Sequence, residues 1–210
     1  MKKILIIVTV FFSLSKLIAQ NFSGNIEFKY ATQKDTTFNI YMVKNKMVRL
    51  DQYGKKGNVE GSFLFDLAGN EVKFLNPKRK LWGLQKSETP QVIRGTCVVT
   101  KGGSKTISGL KCTEYTVKNT EENTTITYWI AEGKYPFFAP LVKLWNRKDK
   151  QSIYFGQIKG LPEGSMPMLS EERQLADNKL LTRLEVTKFV NTPPGDENFR
   201  IPEGYTKFDQ

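Results

Sequence analysis

From Phe22 onward, apolar and polar residues alternate along most of the chain. A period of two sends successive side chains to opposite faces of an extended strand, so the pattern predicts β-structure. Over 22–30, Phe22, Ile26, Phe28 and Tyr30 share one face, and Asn25, Glu27 and Lys29 share the other. Over 36–43, Phe38, Ile40 and Met42 fall together, as do Phe63, Phe65 and Leu67 over 62–67. Further strands are predicted over 47–53, 71–75, 80–85, 96–101, 111–119 and 124–131. Residues 165–174 and 179–190 make a last hairpin that bends at Ala176-Asp177-Asn178. The connections at 44–46, 68–70 and 76–79 carry Asn, Gly and Pro, which favour tight turns.

One stretch breaks the alternation. Over 135–149, Phe137, Phe138, Leu141, Leu144 and Trp145 recur at spacings that mark an amphipathic helix. Pro136 and Pro140 limit where it starts, because proline is tolerated in a first turn but not beyond it. Residues 151–159 fit a helix or a strand. Strands at short, even intervals joined by hairpin turns predict a mainly antiparallel β fold. The expected form is a curved, half-open barrel of about ten strands, with one or two helices over its concave face. A sheet of that size with one apolar face must curl or be covered.

The N-terminus suggests a compartment. Lys2 and Lys3 precede an apolar run from Ile4 to Leu14, interrupted only by Thr9 and Ser13. The run is shorter than the roughly 20 residues that span a bilayer. It leads to the small Ala19 before Gln20, the pattern of a secretory signal peptide. Residues 1–19 are expected to be removed and 20–210 to form one exported domain, periplasmic or secreted. No second stretch approaches membrane-spanning length. Without Lys2, Lys3 and Lys16, the remaining 29 basic and 21 acidic residues leave a net charge of +8. That charge reads as solvated surface with some attraction for anionic headgroups. No nucleic-acid motif is present, and nucleic acid is not an expected partner.

Composition removes most familiar chemistry. The 210 residues include no His, which excludes a Ser-His-Asp triad, a Cys-His pair and any His-ligated metal. No catalytic residue, metal or cofactor is expected. Ser108 and Lys111 match a Ser-x-x-Lys nucleophile motif, but its companion elements are missing and the match reads as fortuitous. Glu121-Glu122 and Glu171-Glu172 are adjacent carboxylates, which a strand sends to opposite faces. Both pairs are expected to be solvated. Cys97 and Cys112 are the only cysteines. In an oxidising compartment they are expected to form a disulfide, the alternative being two reduced thiols.

The informative feature is aromatic: 14 Phe, 8 Tyr and 3 Trp. One reading is an ordinary filled β core. The other is an apolar hollow left between sheet and helix, the usual form of a small-molecule pocket. Its expected lining is Phe28, Phe38, Ile40, Phe63, Phe65, Phe137, Phe138, Leu141 and Trp145.

Four stretches carry a resemblance when taken in order. They are Ile107-x-Gly109-x-Lys111-Cys112-x-x-Tyr115, Trp129-Ile130, Gly160-Leu161-Pro162 and Phe199-x-Ile201-Pro202-x-Gly204-Tyr205. The set resembles an uncharacterised family of exported bacterial envelope proteins with the fold of LolA and LolB, the lipoprotein carrier and acceptor. The resemblance implies a half-open barrel capped by helices, with a hollow that holds lipid, and it implies no catalytic residue. Two LolA features have no counterpart, a helix before the first strand and the arginine that gates the hollow. The expected function is a non-enzymatic periplasmic binding protein for a lipid, a lipoprotein acyl chain or another apolar ligand. The alternative is an envelope accessory protein with a filled core that binds a protein partner.

Overall fold

In the computed structural model, residues 21–86, 92–146 and 149–208 are described. The signal-peptide reading of residues 1–19 lies outside them. Alternation produces the strands expected of it. The first meander comprises β1 (Gly24–Thr32), β2 (Thr36–Lys44), β3 (Met47–Tyr53), β4 (Val59–Asp66), β5 (Glu71–Asn76) and β6 (Leu81–Leu84). The second comprises β7 (Val98–Ile107), β8 (Leu110–Asn119), β9 (Thr124–Ala131), β10 (Met166–Gln174) and β11 (Leu180–Val190). Two helices, α1 (Phe138–Trp145) and α2 (Lys150–Phe155), interrupt it between β9 and β10. The C-terminal segment adds a short 3-10 turn at Asp196–Phe199 and β12 (Thr206–Lys207).

All twelve strands belong to one sheet, ordered β12-β6-β5-β4-β3-β2-β1-β11-β10-β9-β8-β7. Pairing is antiparallel throughout, except that β12 runs parallel to β6. The two meanders meet where β1 pairs with β11. The sheet is open, with β7 and β12 as its edges. Unpaired residues at Glu60 in β4, Gly102 and Gly103 in β7, Met168 in β10, and Leu181 and Thr187 in β11 mark bulges, which bend strands and increase twist. The curl brings the β7–β8 tip back across the sheet, where the Ser108 hydroxyl donates to the Val186 carbonyl at 3.4 Å.

Turn chemistry explains the short connections. Asn45, Asn70, Asn123 and Asn178 take left-handed backbone, which Asn tolerates well. Ser108 and Gly109 both have positive φ, as a two-residue hairpin turn of matching twist requires. Ser108 therefore caps a hairpin and does not open a helix, which removes the Ser-x-x-Lys reading. Gly102 and Gly103 sit at the β7 bulge without ending the strand, so β7 runs longer than the alternation indicated.

The two faces are built differently. The concave face carries Ile26, Phe28, Tyr41, Val43, Val48, Leu50, Phe65, Tyr128 and Val186, which join Leu141, Tyr154 and Phe155 of the helices in one core. On the convex face Leu64 and Leu75 are buried, Leu64 beside Phe199 and Ile201 of the C-terminal segment. There Arg49 donates to Asp51 at 2.7 Å and to the Asn198 carbonyl at 3.1 Å. The buried Asp51 also accepts from Ser62 at 2.6 Å.

Helix signals are local. Pro140 falls within the first turn of α1, and left-handed Asn146 ends it. Asp149 caps α2, its side chain accepting from the Ser152 backbone N–H at 2.9 Å. That cap turns the ambiguous stretch after it into a helix. At eight and six residues, both helices are too short to persist without packing.

Candidate functional site: a cavity beneath two helices

Between the concave sheet and the helices lies a cavity of about 300 Å³. Phe28, Tyr41, Leu50, Tyr128, Met166, Leu184 and Val186 form its sheet side, and Phe138, Leu141, Val142, Trp145 and Phe155 its roof. Ring geometry stiffens both. Phe28 stacks on Tyr41 with centroids 4.7 Å apart, and Phe138 meets Phe155 edge-on at 5.3 Å. Such pairs contribute about 0.5–1.5 kcal/mol beyond area burial. Along the outer side of the helices runs a broader groove of about 640 Å³, reaching Leu161 and Pro162.

Of the residues singled out from sequence, Phe28, Phe138, Leu141 and Trp145 line the cavity. Phe63 and Phe65 face the same side but pack against Trp145, each at 5.3 Å, and brace the roof. Phe137 is buried beside Tyr41 and Phe138 in the core, outside the lining. Phe38 and Ile40 require correction. Residues directly opposite in a ladder share a face. Phe38 pairs with Lys29 and Ile40 with Glu27, whereas Asn39 pairs with Phe28 and Tyr41 with Ile26. Phe38 and Ile40 therefore lie on the convex side, where Phe38 is 51% exposed beneath the Lys29 ammonium. Thr37, Asn39 and Tyr41 line the cavity in their place.

A polar network ties α2 to the sheet. The Tyr128 hydroxyl donates to the Gln151 backbone carbonyl at 2.7 Å. The Gln151 side chain donates to Thr182 at 2.6 Å and accepts from Ser170. Thr182 in turn donates to the buried Glu172 at 2.9 Å. Burial pushes the Tyr128 hydroxyl well above its ordinary pKa, and the Asp149 and Glu172 carboxylates add to the rise. Burial likewise pushes Tyr135 up to about 12.

Glu122 is the second tie. Its side chain is 8% exposed and accepts from the Arg94 backbone N–H at 2.9 Å and the Tyr154 hydroxyl at 2.8 Å. Lys150 approaches to 3.4 Å. Burial alone would raise the Glu122 pKa, but these three donors outweigh it and hold the carboxyl below its ordinary range. The expectation of solvated carboxylates holds for Glu121, which is exposed, and fails for Glu122 and Glu172, which face inward. Alternation in β10 parts Glu171 from Glu172, whereas Glu121 and Glu122 lie in the turn between β8 and β9, where the expected strand alternation does not apply.

Cys97 and Cys112 are free thiols, which corrects the expected disulfide. The Cys97 sulfur lies 3.7 Å from the Asn119 side chain at one end of β8, while Cys112 sits near the other end. The span from 112 to 119 is roughly 23 Å at about 3.3 Å per strand residue. A disulfide needs Cα atoms within about 7 Å. Burial pushes the Cys112 thiol up in pKa.

Among the described residues, no cluster of three or more Cys, Asp or Glu is arranged to hold a metal ion. Nor is any helix among them long and apolar enough to cross a membrane.

The family model described as a domain of unknown function, DUF4412, matches residues 22–205, and the chain belongs to that family. Comparison with the curated proteins gives no match. Among solved structures, the chain is similar to an uncharacterized conserved protein from Thermus thermophilus. The TM-score is 0.51 at 10% identity, over 89% of this chain and 90% of that one. The MucA/MucB complex of Pseudomonas aeruginosa gives 0.48 at 10% identity, over 87% of this chain and 56% of that one. A LolA superfamily protein from Nitrosomonas europaea gives 0.36 at 9% identity, over 87% and 90%. The first shares the fold; the other two are similarities of outline.

Proposed function

We propose that this DUF4412 protein is a non-enzymatic binding protein of the bacterial periplasm. It holds an apolar ligand, a lipid or one acyl chain, between the curved sheet and the two helices. The observation that carries this reading is the cavity of about 300 Å³ under an aromatic roof. Close-packed interiors leave few voids larger than a water molecule. An unfilled apolar space of this size is at odds with the alternative of a filled core. Export rests on the N-terminal run, a positive start followed by an apolar stretch too short to span a bilayer.

Volume bounds the occupant. A cavity of about 150 Å³ accepts benzene, so twice that space suits roughly ten to twelve heavy atoms. A chain of ten methylenes would gain about 8 kcal/mol on burial, at roughly 0.8 per methylene, before ordering costs. A sixteen-carbon chain exceeds the space and would leave part of its length outside.

Calorimetric titration with straight-chain alcohols of increasing length tests the proposal. Affinity is expected to rise about fourfold per methylene and to level off near ten to twelve heavy atoms. Failure of every alcohol to bind, with no lipid seen on the purified protein by native mass spectrometry, would overturn it.

A further inference from the structure

The cavity and the outer groove share part of their lining: Val142, Ser152 and Phe155 border both. A side chain with open space on either side is a wall one side chain thick. At that wall α1 meets α2, with Phe138 edge-on to Phe155 at 5.3 Å. Beyond it the groove has an apolar floor that includes Pro140, Ile153, Ile158 and Leu161. It is also lined by two cations, Lys143 in the last turn of α1 and Lys159 after α2, and by one carboxylate, Glu163. All three are exposed. Lys159 donates to the Gly156 carbonyl at 3.1 Å, which uses one of the donors of an ammonium and leaves others.

Resting on the reading of the cavity as a ligand site, we infer that cavity and groove are two parts of one site, whose ligand is a single-chain anionic amphiphile too long for the cavity alone. The chain end fills the cavity. The remainder crosses between α1 and α2 at the half-buried Val142 and Ser152, beside Phe155. The anionic head lies in the groove near Lys143 and Lys159. Different terms act in the two parts. The cavity rewards methylenes, which leave water there. The groove faces solvent, so further methylenes gain little in it, and a hydroxyl gains nothing from the lysines. A carboxylate or phosphate keeps its hydration, avoids the cost of burying a charge, and gains up to about fivefold per exposed ion pair. The head could belong to a free fatty acid or to a lysophospholipid; both present the same chemistry to the lysines.

Displacement of a fluorescent acyl probe from the purified protein at neutral pH tests this, with decanol, decanoate, tetradecanol and tetradecanoate below their aggregation limits. The carboxylate-to-alcohol affinity ratio is expected to be at least about fivefold higher at fourteen carbons than at ten. An equal ratio at both lengths overturns the inference and leaves the cavity as a ligand site. Failure of the probe to bind, or of all four to displace it, overturns the binding reading itself. Lys143→Gln combined with Lys159→Gln is expected to bring the fourteen-carbon ratio down to the ten-carbon one, with decanol affinity and thermal midpoint unchanged. Lys143→Arg combined with Lys159→Arg is expected to keep it. A ratio that survives the glutamine pair puts the head away from the groove and overturns the assignment. Tetradecanoyl-lysophosphatidylglycerol separates the sources: tighter binding than tetradecanoate points to a lipid phosphate and weaker binding to a free fatty acid, and either supports an anionic head in the groove.

Discussion

The hydroxyl of Tyr128 donates to the backbone carbonyl of Gln151 at 2.7 Å, joining the floor of the cavity to the helix above it. Both residues are buried, and α2 is too short to hold its place unaided. This bond therefore positions the roof as well as satisfying two polar groups. Tyr128→Phe keeps the ring and removes this tie, while the Gln151 carbonyl keeps its place in the helical ladder of α2. A loss of about 0.5–1.5 kcal/mol is expected, read as a lower urea midpoint with unchanged slope.

Filling the cavity separates binding from folding. Val186→Phe puts a ring into the space beside Phe28. Alkanol affinity should fall at least tenfold, while stability falls by no more than about 1–3 kcal/mol. The two effects are read by calorimetric titration and urea denaturation on the same preparation. Retention of full affinity would place the ligand elsewhere.

Truncating the roof has the opposite signature. Leu141 is fully buried in α1, so Leu141→Ala should cost about 2–5 kcal/mol. It also enlarges the cavity, and the length at which alkanol affinity levels off should move up by one or two carbons.

Glu122 gives a pH dependence with a definite sign. Its carboxyl is held below the ordinary value of 4.5 by Arg94, Tyr154 and Lys150 against the cost of burial. The folded state thus binds this proton more weakly than the unfolded chain does. The stabilisation is complete above the ordinary value and is lost as pH falls through the folded one. Thermal midpoints should hold through neutral pH and decline below about 4.5. Glu122→Gln should lower stability at neutral pH by on the order of 1–3 kcal/mol and flatten the acid decline. Parallel declines in the two proteins would show that other groups drive it.

The thiols are directly countable. Denatured protein prepared without reductant should take up two alkylating groups by mass, and the native protein should protect Cys112, which is 0% exposed. A reductant should leave the thermal midpoint unchanged. Uptake of none in the denatured state would mean a disulfide and a rearranged β7–β8 hairpin.

Much of the architecture was legible because period-two alternation and Asn-bearing turns act locally. Asn45, Asn70 and Asn178 take left-handed backbone at the turns that separate strands, a preference of the residue itself. The inward face of each strand was less legible. In β2, Phe38, Ile40 and Met42 look like core, yet Asn39, Tyr41 and Val43 hold the concave side. Both sets carry apolar residues, and the choice is made by register against β1. Glu122 reads as surface because its donors arrive from residues 94, 150 and 154, which no local pattern connects to it. The cysteine pair misled for the same reason, since sequence spacing carries no strand register.

The seam between the meanders also has a bearing on folding. Phe28 and Val186 face each other across it and both border the hollow. The hollow cannot take shape until these distant stretches of chain have found one another, a slow kind of pairing. An occupant wedged at that joint would grip both halves at once, so a guest molecule should delay global unravelling and not merely quiet the region around it.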